Sequence, residues 1–228
     1  VIQLIVFGVW NLAAGVEIEG STPQNLRGLQ EEPNQRQKLP QRAPRIINGQ
    51  DVLSFRYPYF SLMYRPGMCG GVLISPTLVL SAAHCDGASD LFRVGAYADT
   101  SDGDHMGIRS TIIHPEYEEA EFDMDVMIFQ LDEKSSNPYI KLNKEEIRGG
   151  TFTVLGFGDT DKGMPLELAG KLQEAELHYV DNKECDKGHG GNGEVTEDMM
   201  CVSAVDKDSC VGDSGGPLLI KGETPEED

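Results

Sequence analysis

The stretch "CGGVLISPTLVLSAAHC", Cys69 to Cys85, holds two short apolar runs separated by Ser75-Pro76-Thr77. Neither "CGGVLIS" nor "LVLSAA" is long enough for a stable helix. Both read as buried strands joined by a proline-containing turn. The second run ends in small residues and then presents His84, with Cys85 behind it to tether the turn.

The same grammar extends in both directions. "YFSLMY" precedes this pair, and "LFRVGAY", "MGIRSTIIH" and "DVMIFQLD" follow it. A second set comprises "TFTVLGFG", "LQEAELHYV", "MMCVSA" and "GPLLIK". Turn residues punctuate all of them at short spacing, which predicts an all-β barrel or sandwich architecture. No long stretch carries a helical period. The polar segment "EKSSNPYIKLNKEEIRGG", residues 133–150, is read as the join between two β units.

The 228 residues, 39% of them hydrophobic, suffice for one large domain or two small ones. The formal net charge is -19. Residues 1–45 carry five Lys/Arg against four Asp/Glu, so the acidity lies in the remainder. Nucleic acid and anionic membrane surfaces are poor partners for such a chain, whereas basic peptides are attracted to it. The opening "VIQLIVFGVWNLAAG" is an apolar run ending in small residues. It reads as part of a secretory signal peptide, with a buried strand as the other reading. Residues 16–45 are rich in Gln, Glu, Arg and Pro without apolar periodicity, and read as a linker or propeptide. The folded domain is expected over 46–228, with boundaries near 140 and 150 between its halves.

"SCVGDSGGP", Ser209 to Pro217, is a glycine-rich loop around one serine. A serine hydroxyl is a weak nucleophile that needs a base and donors for the developing oxyanion. The flanking glycines leave room for backbone N–H groups to approach a reacting oxygen, though a plain turn also fits this stretch. Five histidines are available as the base. His105, His114 and His189 lie in polar loops, and His178 lies in an alternating strand. His84 alone has a packed, tethered setting. An orienting acid must be shielded, and Asp125 leads directly into the apolar run "DVMIFQL". Such an acid can accept from His84 Nδ1–H and fix the tautomer. The run "DTSDGDH", Asp99 to His105, reads as a calcium chelator or as a solvated loop, and lacks EF-hand spacing. No Cys-x-x-Cys pair supports zinc or thioredoxin-type chemistry.

Together these pieces resemble the chymotrypsin/trypsin-like serine proteases, over about residues 46–222. The resemblance is carried by "RIING", by "CGGVLISPTLVLSAAHC", by "HPEYEEAEFDMDVMIFQLD" and by the second-half stretches through "MMCVSAVDKDSCVGDSGGPLL". Three catalytic segments in the family's order make the match specific. It implies two six-stranded antiparallel Greek-key β-barrels, about 46–140 and 150–228. It also implies a serine endopeptidase acting without cofactor or metal. Ser214 would be the nucleophile, His84 the general base and Asp125 its orienting acid. Gly212 and Ser214 N–H groups would form the oxyanion hole.

Asp208, six residues before Ser214, stands where trypsin-like members hold the P1 side chain, which implies cleavage after Arg or Lys; nearby Asp206 is also an acid of this loop. Cleavage after Arg45 would free the Ile46 amino group to pair with Asp213. The family pairing implies disulfides Cys69–Cys85 and Cys185–Cys201, with Cys210 left unpaired in this chain. Secretion, a monomeric state, peptide or protein substrates and an activating protease follow from the same resemblance. The family continues past the position of Asp228 with a segment lining the substrate pocket. The second barrel is therefore expected to be incomplete, and the 228 residues by themselves to have little activity. The rival expectation is a homologue of the same fold that binds proteins without turnover.

Overall fold

A computed structural model describes residues 49–64, 68–98, 102–119, 122–158, 170–204, 213–225 and 227–228. The signal and propeptide readings, with Arg45 and Ile46, lie outside these residues, as do Asp208, Cys210 and Gly212. In chain order the strands are β1 (Gln50–Asp51), β2 (Phe60–Tyr64), β3 (Met68–Ser75), β4 (Leu78–Ser81), β5 (Leu91–Val94) and β6 (Asp104–Ile113). Then come β7 (Met127–Leu131), β8 (Thr151–Gly156), β9 (Gln173–Val180), β10 (Cys201–Ser203) and β11 (Leu218–Leu219). Every pairing among them is antiparallel.

Six strands close into a barrel in the order β2-β3-β4-β7-β6-β5. Closure leaves this unit without a free edge. Alternation explains its filling: Met127, Phe129 and Leu131 of β7 are buried while the residues between them are only half-buried. Phe129 meets Phe92 of β5 edge-on at 5.0 Å between centroids, an arrangement that suits the ring quadrupoles. The second unit is an open five-stranded sheet, β1-β9-β8-β11 with β10 also on β9. The chymotrypsin-type architecture is thus present, with one barrel closed and its companion open. Residues 133–150 join the two without a strand or helix.

The units pack on one another through a shared core. Leu155, Phe157, Leu172 and Leu219 of the second unit belong to the same buried cluster as the barrel interior. Phe60 and Phe157 lie 5.9 Å apart across the junction. Polar bonds also fix the segment that leads from β1 of the second sheet to β2 of the barrel. Val52 N–H donates to Leu172 O at 3.0 Å. Buried Glu174 accepts from Tyr57, from Lys221 at 2.9 Å and from Gln50 at 2.7 Å. Burial pushes the Glu174 carboxyl up, but these donors outweigh it and hold the carboxyl below its usual range. Arg56 reaches Asp228 and the Gly222 carbonyl, and the Tyr59 hydroxyl meets the same Asp228 carboxylate.

One helix was not expected from sequence. α1 (Asn182–Gly188) has Asp181 as its N-cap, accepting from Lys183 N–H, and Glu184 in its first turn. It buries no residue, so it has no hydrophobic period to read. The Asp181 and Glu184 spacing was the available signal. Among the described residues no helix is long and apolar enough to cross a membrane.

The turn Leu53–Arg56 carries measurable strain. Arg56 N–H donates to Leu53 O at 3.0 Å, and Phe55 sits at φ 65 in the third position, which favours glycine. Its ring is 83% exposed and contributes little packing. Phe55→Gly should therefore stabilise the fold by about 0.5–1 kcal/mol, the left-handed penalty exceeding glycine's extra chain entropy. Thermal denaturation tests this; a lower melting temperature would contradict it.

Candidate active site

His84 is delivered by β4 and a single 3-10 turn, Ala83–Cys85. Ala82 and Ala83 are buried, and small side chains let this turn lie against the barrel. Cys85 is bonded to Cys69 of β3, closing the turn covalently onto the neighbouring strand. The second disulfide, Cys185–Cys201, fastens α1 to β10.

Asp125 is the partner of His84. Its Oδ2 lies 2.6 Å from His84 Nδ1, and its Oδ1 accepts the His84 backbone N–H at 2.9 Å. The carboxylate thus fixes both the ring and the backbone that carries it. Asp125 is 3% exposed, whereas the His84 side chain is 31% exposed. One end of the imidazole is therefore shielded and the residue as a whole remains partly open to solvent. Burial strengthens the pair by lowering the local dielectric. Two left-handed residues, Phe122 at φ 53 and Met124 at φ 50, shape the approach to Asp125. Val126 N–H returns to Met124 O at 2.6 Å, turning the chain tightly about Asp125 before β7 begins. Asp123 Oδ1 accepts from Thr196 Oγ1 at 3.0 Å, tying this loop to the second unit.

Ser214 enters from that second unit. Gly70 N–H of β3 donates to Ser214 O at 2.7 Å, and Cys85 Sγ lies 3.9 Å from the same oxygen. With its sulfur in a disulfide, Cys85 has no S–H to donate, so this is a packing contact. Gly215 follows at φ 76, a backbone state that glycine adopts freely. The serine loop is therefore pinned to the strand and disulfide that support His84. Among the described residues no hydrogen bond joins the Ser214 and His84 side chains. Such bonds commonly tighten only when substrate arrives.

Asp213 points away from this junction and into the second unit. It is 1% exposed, and its Oδ1 accepts Gly158 N–H at 2.7 Å. A Cβ at Gly156 or Gly158 would fall 2.5 or 2.7 Å from its carboxyl carbon, so only glycine fits at either place.

The other sequence candidates have structural places. Asp102 Oδ2 accepts from Tyr97 N–H at 2.9 Å and Ala98 N–H at 2.7 Å, and its Oδ1 faces buried Arg93 at 3.8 Å. Asp104 accepts from Asn137 at 2.9 Å. These carboxylates serve the loop itself, beside a guanidinium that repels a cation. Asp99–Ser101 lie outside the described residues. The one group of potential metal ligands among the described residues is Cys69, His84 and Cys85, and both sulfurs are in the disulfide. His178 Nδ1 lies 3.1 Å from Thr151 Oγ1, His114 Nδ1 accepts Glu116 N–H at 3.3 Å, and His189 caps α1.

Two participants escaped the sequence reading. Phe122 stands edge-on to His84 at 5.7 Å between centroids and walls one side of the ring. An aromatic set among the acids of the run 114–125, three residues before Asp125, was the only hint. Gly70 was read merely as strand, although a Cβ there would lie 2.7 Å from Gly216 Cα.

Comparison with known proteins bears on the whole arrangement. A family model described as Trypsin matches residues 46–225. Human granzyme M is 33% identical over 189 residues, spanning 76% of this chain and 73% of its own length. Trypsin theta of Drosophila melanogaster is 34% identical over 193 residues, spanning 79% and 74%. Trypsin 5G1 of Aedes aegypti is 33% identical over 190 residues, spanning 77% and 71%. With the family model covering residues 46–225 and relatives at 33–34% identity, over a closed barrel beside an open sheet, the chain belongs to the trypsin family.

Proposed function

We propose that this protein is a secreted serine endopeptidase, made as a zymogen, that cleaves protein or peptide substrates after Arg or Lys. The observation that carries the reading is the His84–Asp125 pair, with the Ser214 backbone pinned beside its supporting strand. Asp125 holds the proton on Nδ1 and leaves the Nε2 lone pair for Ser214 Oγ–H. Ser214 Oγ attacks the peptide carbonyl carbon while His84 takes the proton. The C–N bond breaks as His84 returns that proton to the leaving amine. Water, deprotonated by the same His84, then hydrolyses the acyl ester. Backbone N–H groups of Gly212 and Ser214 receive the oxyanion.

Asp208 is assigned to the P1 cation, where a shielded carboxylate forms a strong charge-assisted bond. The Ile46 ammonium, freed by an activating protease at Arg45, is assigned to Asp213. A carboxylate so deeply buried gains most from a cation brought to it. The enzyme is taken to act as a monomer, without nucleic acid, membrane or cofactor.

The test uses the full-length gene product cut once after Arg45. Amide substrates with Arg, Lys or a neutral P1 residue are compared, alongside labelling by a serine-reactive phosphonate. Turnover and labelling should favour Arg and Lys and vanish in Ser214→Ala. No turnover, or equal turnover by the alanine variant, rejects the enzyme and leaves the non-catalytic binding homologue.

A further inference from the structure

We propose that Thr196, in the second unit, is a positioning residue. Through its hydroxyl bond to Asp123 it sets Asp125 and Phe122 around the His84 ring. The consequence for turnover rests on the peptidase reading above; the consequence for the His84–Asp125 bond does not.

The chain before Asp125 is held in a shape its residues resist. Phe122 at φ 53 and Met124 at φ 50 are both left-handed, one on each side of Asp123. A bulky residue in that region persists only where its surroundings over-determine it. Two backbone bonds of the first unit contribute. Glu118 N–H donates to Asp123 O at 3.1 Å, and Val126 N–H donates to Met124 O at 2.6 Å. The third restraint comes from a side chain: Thr196 Oγ1–H donates to Asp123 Oδ1 at 3.0 Å. Among the described residues it is the only hydrogen bond from the second unit to residues 114–126.

Thr196 is itself fixed. Asn182 Nδ2 donates to Thr196 O at 2.9 Å and to Met199 O at 2.8 Å, which holds the return segment against the start of α1. Asp186 accepts Gly193 N–H at 3.2 Å and Val195 N–H at 3.4 Å. The Cys185–Cys201 disulfide closes this loop. The hydroxyl is therefore presented by a braced segment, as a supporting group must be if it is to fix its neighbour.

Little slack separates Asp123 from the histidine. Asp125 is two residues on, and its carboxylate meets His84 Nδ1 at 2.6 Å. Phe122 is one residue back, edge-on to the same ring at 5.7 Å between centroids. Releasing the Asp123 side chain lets residues 122–124 relax toward ordinary backbone angles. That relaxation moves both neighbours of the imidazole. A mere staple between the units would be redundant, since a shared apolar core already joins them.

The experiment uses the full-length gene product cut once after Arg45. Its first arm works in a Ser214→Ala background and needs no turnover. A proton held in a short, charge-assisted bond resonates far downfield of ordinary amide protons, so proton NMR reads His84 Nδ1–H directly. Thr196→Val keeps the shape of the side chain and removes the donor. It should move that resonance upfield or broaden it through faster exchange with water. Thr196→Ser keeps the donor and should restore the parent signal. An unchanged signal in Thr196→Val overturns the proposal. So does a Thr196→Ser signal as displaced as that of Thr196→Val, or a parent that shows no such signal.

The second arm measures turnover of an amide substrate with Arg at P1. Thr196→Val should lower kcat at least about tenfold with KM within about twofold, because a displaced base misaligns the reacting groups without removing a substrate contact. Asp123→Ala should show a similar loss. Combining the two should cost less than about a further twofold, since both remove the same bond. A kcat equal to the parent's in Thr196→Val, or losses that multiply in the double variant, overturns the route through Asp123. Absence of any turnover by the parent enzyme rejects the proposed function, a result the NMR arm reads separately.

Discussion

Asp125→Asn is expected to lower kcat/KM by about four orders of magnitude near neutral pH while leaving the fold in place. The size is that of the equivalent change in the serine-protease template; the direction follows from the hydrogen bonds. Both Asp125 oxygens accept, one from the His84 backbone N–H at 2.9 Å and one at His84 Nδ1 at 2.6 Å. An asparagine side chain offers one acceptor and one donor. If its NH2 faces the backbone N–H, two donors meet in a buried place, at a cost of about 1–3 kcal/mol. If its NH2 faces Nδ1, that nitrogen must present its lone pair and the proton moves to Nε2. The base is then protonated where it needs to accept from Ser214. The second orientation keeps the backbone bond and avoids the buried clash of donors, so it prevails and disables the histidine without removing a packed side chain. A melting temperature close to that of the parent, with activity lost, is the expected pattern. Activity within tenfold of the parent would mean that Asp125 does not orient His84.

The same pair shows how far sequence alone reaches. Asp125 was legible because an acid leading into "VMIFQL" is out of place unless it is shielded, and β7 buries Met127, Phe129 and Leu131 as that pattern demands. His84 was legible through its small neighbours and Cys85. Phe122 was not. Its position over His84 depends on a left-handed backbone 38 residues downstream, and no periodicity encodes that. Helix α1 was missed because it buries nothing. The acidic run from Asp99 left a chelator open beside a solvated loop because sequence does not reveal that Asp102 faces Arg93. Residues placed by their own segment were readable. Residues placed by a meeting of distant segments required the fold.

Gly215→Ala should show that such a meeting governs the site, with a loss of about 2–4 kcal/mol in stability and at least about a hundredfold in activity. Gly215 adopts φ 76, where an alanine is strained by about 1 kcal/mol. The larger part is steric. Its Cβ would stand 2.6 Å from Gly70 O and 3.0 Å from Ala82 N. Both are backbone atoms, and Gly70 O already accepts the Ser81 hydroxyl at 2.7 Å. Neither can swing aside as a flexible side chain would. Relief has to come from separating the serine loop from β3 and β4, which breaks the bond from Gly70 N–H to Ser214 O. Ser214 then moves relative to His84, and a shift of about 1 Å between reacting groups is enough for the hundredfold loss. A chain of this size should melt roughly 5–15 °C lower. The decisive comparison is with Gly149→Ala, where the new methyl meets nothing within 4 Å. That variant should melt and turn over like the parent. Equal behaviour of the two variants would mean that the contact between the serine loop and the first barrel does not set the geometry of the site.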